Sequence, residues 1–279
     1  MRKKLKIVCS LLMVCALLLF IPALQSSAAQ SYENIPVSVN GRKTDGVGAI
    51  LVNSITYVPL RKTCDYFADC EIYWNNVTKT AYVYSDDFDL TVRSGKCYIS
   101  ANGRCFYTVG EVLNINGSLY VPIRPLAKAL GFDVRWDSTS RSVNLVYTGV
   151  LKSGDDVYDS DDLYWLSRII EAEAGVEPFK GKIAVGNVVL NRVRSKEYPN
   201  TIYGVIFDRK YGTQFTPAAT GTVYNTPSSE SVIAAKICLE GYEVMPNAMY
   251  FFDPDIATSF WIAENCTFIG RIGGHEFYY

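Results

Sequence analysis

The sequence of 279 residues contains a single histidine, His275. This scarcity excludes metal sites built from several histidines, and it makes any Ser-His-Asp or Cys-His mechanism depend on one residue. The charge is nearly balanced, with 27 basic and 28 acidic residues. A chain without a basic excess lacks the electrostatic surface that nucleic acid binding requires. Because 49% of the residues are hydrophobic, disorder is excluded, and the length suggests roughly two domains.

The balanced total conceals a cationic N-terminus. Residues 1–29 hold four of the 27 basic residues and none of the acidic ones, which leaves a net charge of −5 on the rest of the chain. A basic start, an apolar run over 7–24 and the small residues Ser27 and Ala29 are typical of a signal peptide that is cleaved near Ala29. A retained membrane anchor is the alternative, because the apolar run is long enough to span a bilayer. Both interpretations place the rest of the chain outside the cytoplasm.

Two of the eight cysteines fall within the expected signal peptide. The six that remain permit three disulfides in an exported chain, with fifteen connectivities. Cys97 and Cys105 flank Asn102-Gly103, a hairpin dipeptide, so we expect them to face each other across two strands. Unpaired buried thiols are the alternative. No pair has the Cys-x-x-Cys spacing, which disfavours a zinc site, and we expect neither a metal nor a cofactor.

A short motif occurs twice in the first half. Tyr-Val-Pro-Leu-Arg at 57–61 returns as Tyr-Val-Pro-Ile-Arg at 120–124, and each copy is followed by a tryptophan, Trp74 or Trp136. A shared core with a matching tryptophan downstream indicates an internal duplication. Each copy is preceded by a turn dipeptide, has a proline where a helix can start and is followed by segments of alternating polarity. These signals predict that each unit is a strand, a short helix and a hairpin.

This pattern resembles the small extracellular repeat called the copper amine oxidase N-terminal-like domain. The resemblance implies neither copper nor oxidase activity, and no histidine is present in this half. It implies a targeting or spacer module whose ligand belongs to the cell wall or the spore coat. Arg61, Arg124, Trp74 and Trp136 are candidate ligand contacts, and a purely structural role in the core or in ion pairs is the alternative.

The most informative helix is predicted over roughly 161–175, where Ser160 or Asp161 can serve as its N-cap. At about 100° per residue, its apolar residues form one stripe, and Glu173 falls inside that stripe whereas Glu171 lies off it. The apolar stripe consists of Leu163, Leu166, Ile169 and Ile170. Two further helices are predicted over 181–194 and from Thr226 to about residue 240.

The position of Glu173 has a chemical consequence. Burial in apolar surroundings disfavours the charged form and raises a carboxyl pKa. A carboxylic acid that is still protonated near neutral pH is what general-acid cleavage of a glycosidic bond needs. The helix pattern alone leaves open a second interpretation, in which Glu173 is a buried glutamate paired with a lysine or arginine.

Several short motifs that follow one another over about 160–279 resemble the SleB/CwlJ family of cell wall hydrolases. The motifs include Glu-Ala-Glu at 171–173, Tyr-Pro-Asn at 198–200, Gln-Phe-Thr at 214–216, Asn-Ala-Met-Tyr at 247–250 and Ile-Gly-Gly-His-Glu-Phe at 272–277. Motifs in the right order are more specific than any one alone. The resemblance implies a mainly helical, lysozyme-like domain, related to lytic transglycosylases, that cuts peptidoglycan glycan strands, notably in spore cortex at germination.

The resemblance also implies that Glu173 is the catalytic residue. As an acid it protonates the oxygen that links N-acetylmuramic acid to N-acetylglucosamine. As a base it then assists attack by the muramoyl 6-hydroxyl, which gives a 1,6-anhydro product. A second carboxylate at Asp208, Asp253 or Asp255 would give hydrolysis instead, and Asp253 lies where the family motif often has asparagine.

Other residues follow from the same motifs. The expected substrate contacts are Gln214, Thr216, Asn247 and Tyr250. Each of them can also serve to fix the loops of its own domain. Glu171 and Asp253 are secondary candidates in the site. We expect His275 to be structural, because no nucleophile accompanies it.

The sequence therefore predicts a secreted α+β protein that acts on peptidoglycan in the cell wall or spore cortex. The predicted parts are a signal peptide at 1–29, a pair of strand-helix-hairpin repeats over 30–150, an acidic linker over 151–158 and a lysozyme-like helical domain over 159–279. A wall-binding protein without activity is the alternative, and a zinc amidase is disfavoured because its ligand set is missing. Neither nucleic acid nor, after signal cleavage, a membrane is an expected partner.

Overall fold

The computed structural model describes residues 32–44, 46–67, 70–86, 88–210 and 212–279. The expected signal peptide at 1–29 lies outside these residues. The described chain is a mixed α+β structure in which strands dominate the first half and helices the second. Within the described ranges, no helix has the length and apolar character needed to cross a membrane.

In the described ranges, the first half is built from short strands and two helices. Its strands are β1 (Glu33–Ile35), β2 (Val37–Val39), β3 (Arg42–Lys43), β4 (Ala49–Val52), β5 (Ile55–Pro59), β6 (Glu71–Asn75), β7 (Thr80–Tyr84), β8 (Asp89–Arg93), β9 (Tyr98–Ala101), β10 (Arg104–Tyr107), β11 (Leu113–Ile115), β12 (Ser118–Pro122), β13 (Phe132–Asp137) and β14 (Ser142–Tyr147). Its helices are α1 (Leu60–Phe67) and α2 (Ile123–Ala129). The strands form sheets with the orders β1-β4-β5-β12-β11, β10-β9-β8-β7-β6 and β13-β14-β2-β3.

The two copies of the repeated motif occupy the same place in the same order of elements, which is a hairpin, a helix and a second hairpin. Pro59 ends β5 before α1, and Pro122 ends β12 before α2. A proline has no N–H to offer the sheet, so it fits the last position of a strand that turns into a helix. Asn53 and Asn116 open the first hairpin turns with φ of 49° and 50°, the left-handed conformation that two-residue hairpin turns require.

The second half is mainly helical and closes with a small antiparallel sheet of order β15-β17-β16. Its elements are α3 (Gly154–Val157), α4 (Ser160–Ala174), α5 (Phe179–Arg194), α6 (Ile202–Ile206), α7 (Thr216–Thr220), a 3-10 turn (Thr222–Tyr224), α8 (Ser229–Leu239), β15 (Tyr250–Phe252), α9 (Trp261–Asn265), β16 (Phe268–Ile272) and β17 (His275–Tyr278). The segment predicted as an acidic linker therefore contains the short helix α3.

Two helices begin away from the predicted caps. Asp159, rather than Ser160 or Asp161, caps α4 and accepts hydrogen bonds from two backbone N–H groups of the first turn. Ser228, rather than Thr226, caps α8. Aspartate, serine and threonine are all favoured N-caps, so a run of several such residues does not reveal which one is used.

The expected contact between Cys97 and Cys105 is wrong. The hairpin turn places Ser100, not Cys97, opposite Cys105. The carbonyl of Cys97 instead accepts a hydrogen bond from the backbone N–H of Thr108, 2.8 Å away. Cys97 and Cys105 stay thiols, as do Cys64, Cys238 and Cys266.

The two halves pack against each other around a charged cluster. Glu240, at the end of α8, has only 5% of its side chain exposed. Arg104 of β10 donates to both of its carboxylate oxygens, at 2.6 and 2.7 Å. Lys128 and the hydroxyl of Tyr158 also donate to it, at 3.0 and 2.8 Å. Because these donors come from both halves, Glu240 ties the strand-rich half to the helical half.

Candidate active site

Helix α4 carries Glu173 in its last turn. Leu166, Ile169 and Ile170 of the same helix are fully buried, so the face that they share with Glu173 is turned towards the core, as the apolar stripe predicts. Burial raises the pKa of Glu173 to about 7, while the positive charge of Arg192 opposes that rise. The carboxyl group makes no hydrogen bond or ion pair with another described residue. A large fraction of Glu173 is therefore protonated at neutral pH.

A buried lysine fixes the end of this helix. Lys182 of α5 is 2% exposed, and its ammonium group donates to the carbonyl oxygens of Ala174 and Gly175 at 2.9 and 2.5 Å. The last carbonyls of a helix lack partners within the helix, and a cation is favourable there. Lys182 thus holds the backbone directly after Glu173. Sequence reasoning missed this residue, whose only signal is a lysine directly before the apolar run Ile183–Val185.

Arg192 assembles the rest of the site. It is 5% exposed, and its Nε donates to the carbonyl of Met249 at 2.8 Å. Its Nη1 lies 3.4 Å from Oε1 of Gln214. The guanidinium lies 5.1 Å from the ring centre of Tyr198 and 5.6 Å from that of Tyr250, within the range of cation–π attraction. The charge that acts on Glu173 thus also positions two of the predicted contact residues, Gln214 and Tyr250.

An aromatic wall continues from this point. Tyr198 and Tyr250 hydrogen-bond through their side chains, and burial raises the pKa of Tyr198. The ring of Tyr250 also lies 6.5 Å from the ring of Trp261, which is 56% exposed. Exposed aromatic rings with a polar edge are suited to sugar rings, which have apolar faces and polar rims. Tyr198 and Trp261 were not among the residues predicted for the site.

Two predicted contacts remain apart from this cluster. Thr216 is exposed at the start of α7, and Asn247 is exposed with φ of 64°. Among the residues that the structure describes, neither side chain makes a hydrogen bond with Glu173 or Arg192. Asparagine tolerates the left-handed conformation better than most residues. Asn247 therefore suits the backbone conformation of its turn.

Glu171 lies two residues from Glu173 and has a different environment. Its Oε2 accepts hydrogen bonds from the backbone N–H and the hydroxyl of Ser228, at 3.0 and 2.6 Å. Burial raises the pKa of Glu171, but the hydrogen bonds from Ser228 and Ser231 outweigh that effect and hold the pKa below its ordinary value. Glu171 is therefore an ionised residue that joins α4 to the start of α8.

Asp253 and Asp255 belong to a separate cluster around the C-terminal sheet. Asp255 pairs with Arg271 at 2.7 Å. Asp253 and Glu177 act on His275, which is 8% exposed and whose Nδ1 has no hydrogen-bond partner among the described residues. Burial lowers the pKa of His275, and the two carboxylates oppose that change. In the part of the chain that is described, neither aspartate forms a hydrogen bond with Glu173 or influences its pKa.

Two stretches of the chain match known protein families. Residues 176–278 match the protein family described as Cell Wall Hydrolase. They belong to that family. Residues 38–145 match the Copper amine oxidase N-terminal domain. The match of the cell wall hydrolase domain begins after Glu173, so the family match does not include this residue.

Relatives of the cell wall hydrolase domain share more than a third of its residues. The spore cortex-lytic enzyme of Bacillus cereus is 38% identical over 120 residues, which are 43% of this chain and 45% of that protein. The enzyme of the same name from Bacillus subtilis is 36% identical over 120 residues, 38% of its length. The chain thus spans less than half the length of these relatives. The catalytic domain of the germination-specific lytic transglycosylase SleB from Bacillus anthracis is 36% identical, with a TM-score of 0.41, and the match covers 46% of this chain and 100% of that one.

Proposed function

We propose that the chain is a lytic transglycosylase that cleaves peptidoglycan between N-acetylmuramic acid and N-acetylglucosamine, outside the cytoplasm, in the cell wall or spore cortex. The observation that carries the proposal is the Glu173 carboxyl group, whose pKa of about 7 lets it give up a proton and take one back at neutral pH. The names of the relatives, which refer to spore cortex lysis and lytic transglycosylation, support the substrate class.

The reaction has two proton transfers at Glu173. In the first, the protonated carboxyl group gives its proton to the glycosidic oxygen, the bond from this oxygen to muramoyl C1 breaks, and positive charge develops on the muramoyl ring. In the second, the Glu173 carboxylate takes the proton of the muramoyl 6-hydroxyl as that oxygen bonds to C1. The 1,6-anhydro ring forms without water, and Glu173 is again protonated.

Arg192 has a defined part in this cycle. Its positive charge opposes the rise in the pKa of Glu173, which means that it favours the carboxylate left after the first proton transfer. Arg192 also bonds to Gln214 and faces the rings of Tyr198 and Tyr250. One buried group therefore stabilises the Glu173 carboxylate and positions the side chains that contact the sugar.

The surroundings of Glu173 favour transglycosylation over the two-carboxylate route. Glycosidases of the latter kind place two carboxyl groups roughly 5 to 9.5 Å apart. Within the described residues, no second carboxylate influences the pKa of Glu173. Asp253 and Asp255 are engaged at the C-terminal sheet, and Asp208 accepts a hydrogen bond from its own loop at 2.9 Å.

The test is Glu173→Gln in the full chain, with purified spore cortex and purified vegetative peptidoglycan as substrates. We expect the variant to lose at least about a hundredfold in the release of soluble fragments. Mass spectrometry of the wild-type digest should show anhydro-muropeptides, which are lighter by one water than hydrolysis products. Glu243→Gln, which changes an exposed glutamate of the same half, is the matched control and should keep full activity.

Two outcomes would overturn the proposal. Release by Glu173→Gln at the wild-type rate would exclude the mechanism. A wild-type chain that sediments with peptidoglycan but releases no fragments would identify the alternative, a wall-binding protein without activity.

A further inference from the structure

The strand-rich half contains an open cavity of about 490 Å³. It lies between the β5–β12 part of the first sheet and the β13–β14 hairpin, and apolar side chains such as Ile123 and Val134 line it. Arg124 and Trp136 line it as well. They are the arginine of the second motif copy and the tryptophan that follows it, so the second copy contributes both of its candidate ligand contacts to one space. We refer to this space as the hairpin cavity.

Trp136 occupies a position that normally faces a closed core. It is the cross-strand partner of Val143, so both side chains lie on the same face of the hairpin. Val143 is buried, with 3% exposure, whereas 48% of Trp136 is exposed. A large indole on the core face of a sheet is left open because the hairpin cavity lies beside it. Its exposed surface is available to the apolar face of a sugar ring.

Charge at the cavity points to an anionic ligand. Arg124 is exposed at the start of α2 and makes no ion pair or hydrogen bond with any residue in the described ranges. The other arginine of the lining, Arg141, pairs with Glu33 at 2.6 Å. An arginine without an acidic partner is suited to a carboxylate, which it can bind through two parallel hydrogen bonds.

We propose that the hairpin cavity binds a disaccharide–peptide fragment of peptidoglycan, separately from the candidate active site. This inference rests on the proposed function for the substrate class. The indole of Trp136 takes the face of one sugar ring, the apolar lining takes methyl groups of the N-acetyl and lactyl substituents, and Arg124 binds a carboxylate of the stem peptide. The strand-rich half then holds the substrate while the helical half cuts it.

Binding can be followed at each tryptophan separately. The chain has four tryptophans, and labelling with ¹⁵N-tryptophan gives one indole signal for each, assigned by single tryptophan-to-phenylalanine variants. The full chain with Glu173→Gln is titrated with a purified disaccharide–tetrapeptide. We expect the Trp136 signal to shift until saturation. A tetramer of N-acetylglucosamine, which has the sugar rings without the carboxylates, should require at least about tenfold higher concentrations for that signal.

Substitution of the cavity arginine tests the charge. Arg124→Gln should weaken the binding reported by the Trp136 signal by about tenfold. Arg61→Gln changes the equivalent residue of the first motif copy, which is outside the cavity, and should leave it unchanged. If Arg124→Gln does not fold, Arg124→Lys keeps the charge without the paired donors and should weaken binding to a smaller extent.

The proposal is overturned if Trp136 does not respond at fragment concentrations that saturate the Trp261 signal, or if Arg124→Gln and Arg124→Lys bind as the parent does. These outcomes concern binding in a variant that lacks the catalytic acid. They are therefore distinct from failure of the proposed function, which shows in the digestion of peptidoglycan by the wild type and Glu173→Gln.

Discussion

Glu171 and Glu173 show how far single residues can be understood from the sequence. The helical period separates them, because one lies on the apolar stripe and the other does not. Their opposite pKa shifts agree with that separation. The side chains that lower the pKa of each carboxyl group, Ser228 at Glu171 and Arg192 at Glu173, could not be predicted. Both come from other elements, and only the fold brings them to α4.

The pKa of Glu173 leads to a prediction for the pH dependence of the reaction. The acid must be protonated, so kcat/KM should fall as the pH rises through about 7. In Arg192→Gln the opposing positive charge is absent, so the pKa of Glu173 rises and the fall moves to higher pH. The measurement is the pH profile of fragment release. Arg194→Gln, which alters an exposed arginine two residues away, should leave the profile in place, and an unmoved profile in Arg192→Gln would contradict the assignment.

A second residue-scale prediction concerns His275 and stability. Burial lowers the pKa of His275 in the folded chain, so the unfolded chain binds a proton first as the pH falls. The stabilising contribution of the neutral ring is complete above the unfolded pKa of about 6.5 and is lost as the pH falls through it towards the folded pKa. His275→Phe keeps a ring beside Phe251, 5.1 Å away in the wild type, and removes the titration. We expect the Tm of the wild type to decrease more than that of the variant on acidification, whereas parallel curves would exclude this role.

At the scale of elements, the sequence predicts helices and hairpins better than their connections. Local signals are the apolar periodicity of α4, α5 and α8 and the asparagine turns of the first half. The structure contains these helices and hairpins. Lys182 and Arg192 are different, because both are cations buried within a helix whose pattern is apolar. Buried cations are costly without partners. The partners of Lys182 are carbonyls at the end of the preceding helix and that of Arg192 is the carbonyl of Met249, and no local pattern reveals either arrangement.

The Glu240 cluster gives a prediction at the same scale. Glu240→Ala removes the carboxylate that Arg104, Lys128 and Tyr158 share. It leaves Arg104, with only 13% of its side chain exposed, without a counter-charge. We expect the free energy of unfolding to decrease by about 3 kcal/mol, measured by urea denaturation. Glu243→Ala breaks the exposed pair with Arg194 and should cost under about 1 kcal/mol. Equal effects of the two substitutions would show that the cluster does not hold the halves together.

At the scale of the whole molecule, the two halves share one core. Cys105 and Tyr107 of β10 belong to the same buried cluster as Leu166 and Ile169 of α4. The ring of Tyr107 stacks on that of Tyr242 at 4.2 Å between ring centres. A sequence motif assigns a domain to a range, but it does not show which side chains of a neighbouring range complete its core.

The shared core predicts that the helical half is weakened when it is separated. A fragment of residues 151–279 loses the rings of β9 and β10 and the donor Arg104, so apolar surface that is covered in the full chain becomes exposed. We expect its Tm to be lower than that of the full chain by several degrees, since about 1 kcal/mol corresponds to roughly 2–4 °C at 150–250 residues and to more in a shorter chain. It should also bind more of a dye that is specific for apolar surfaces. Tyr107→Ala in the full chain removes one of these contacts alone, so its Tm should lie between that of the fragment and that of the full chain. A fragment as stable as the full chain would show that the halves are independent.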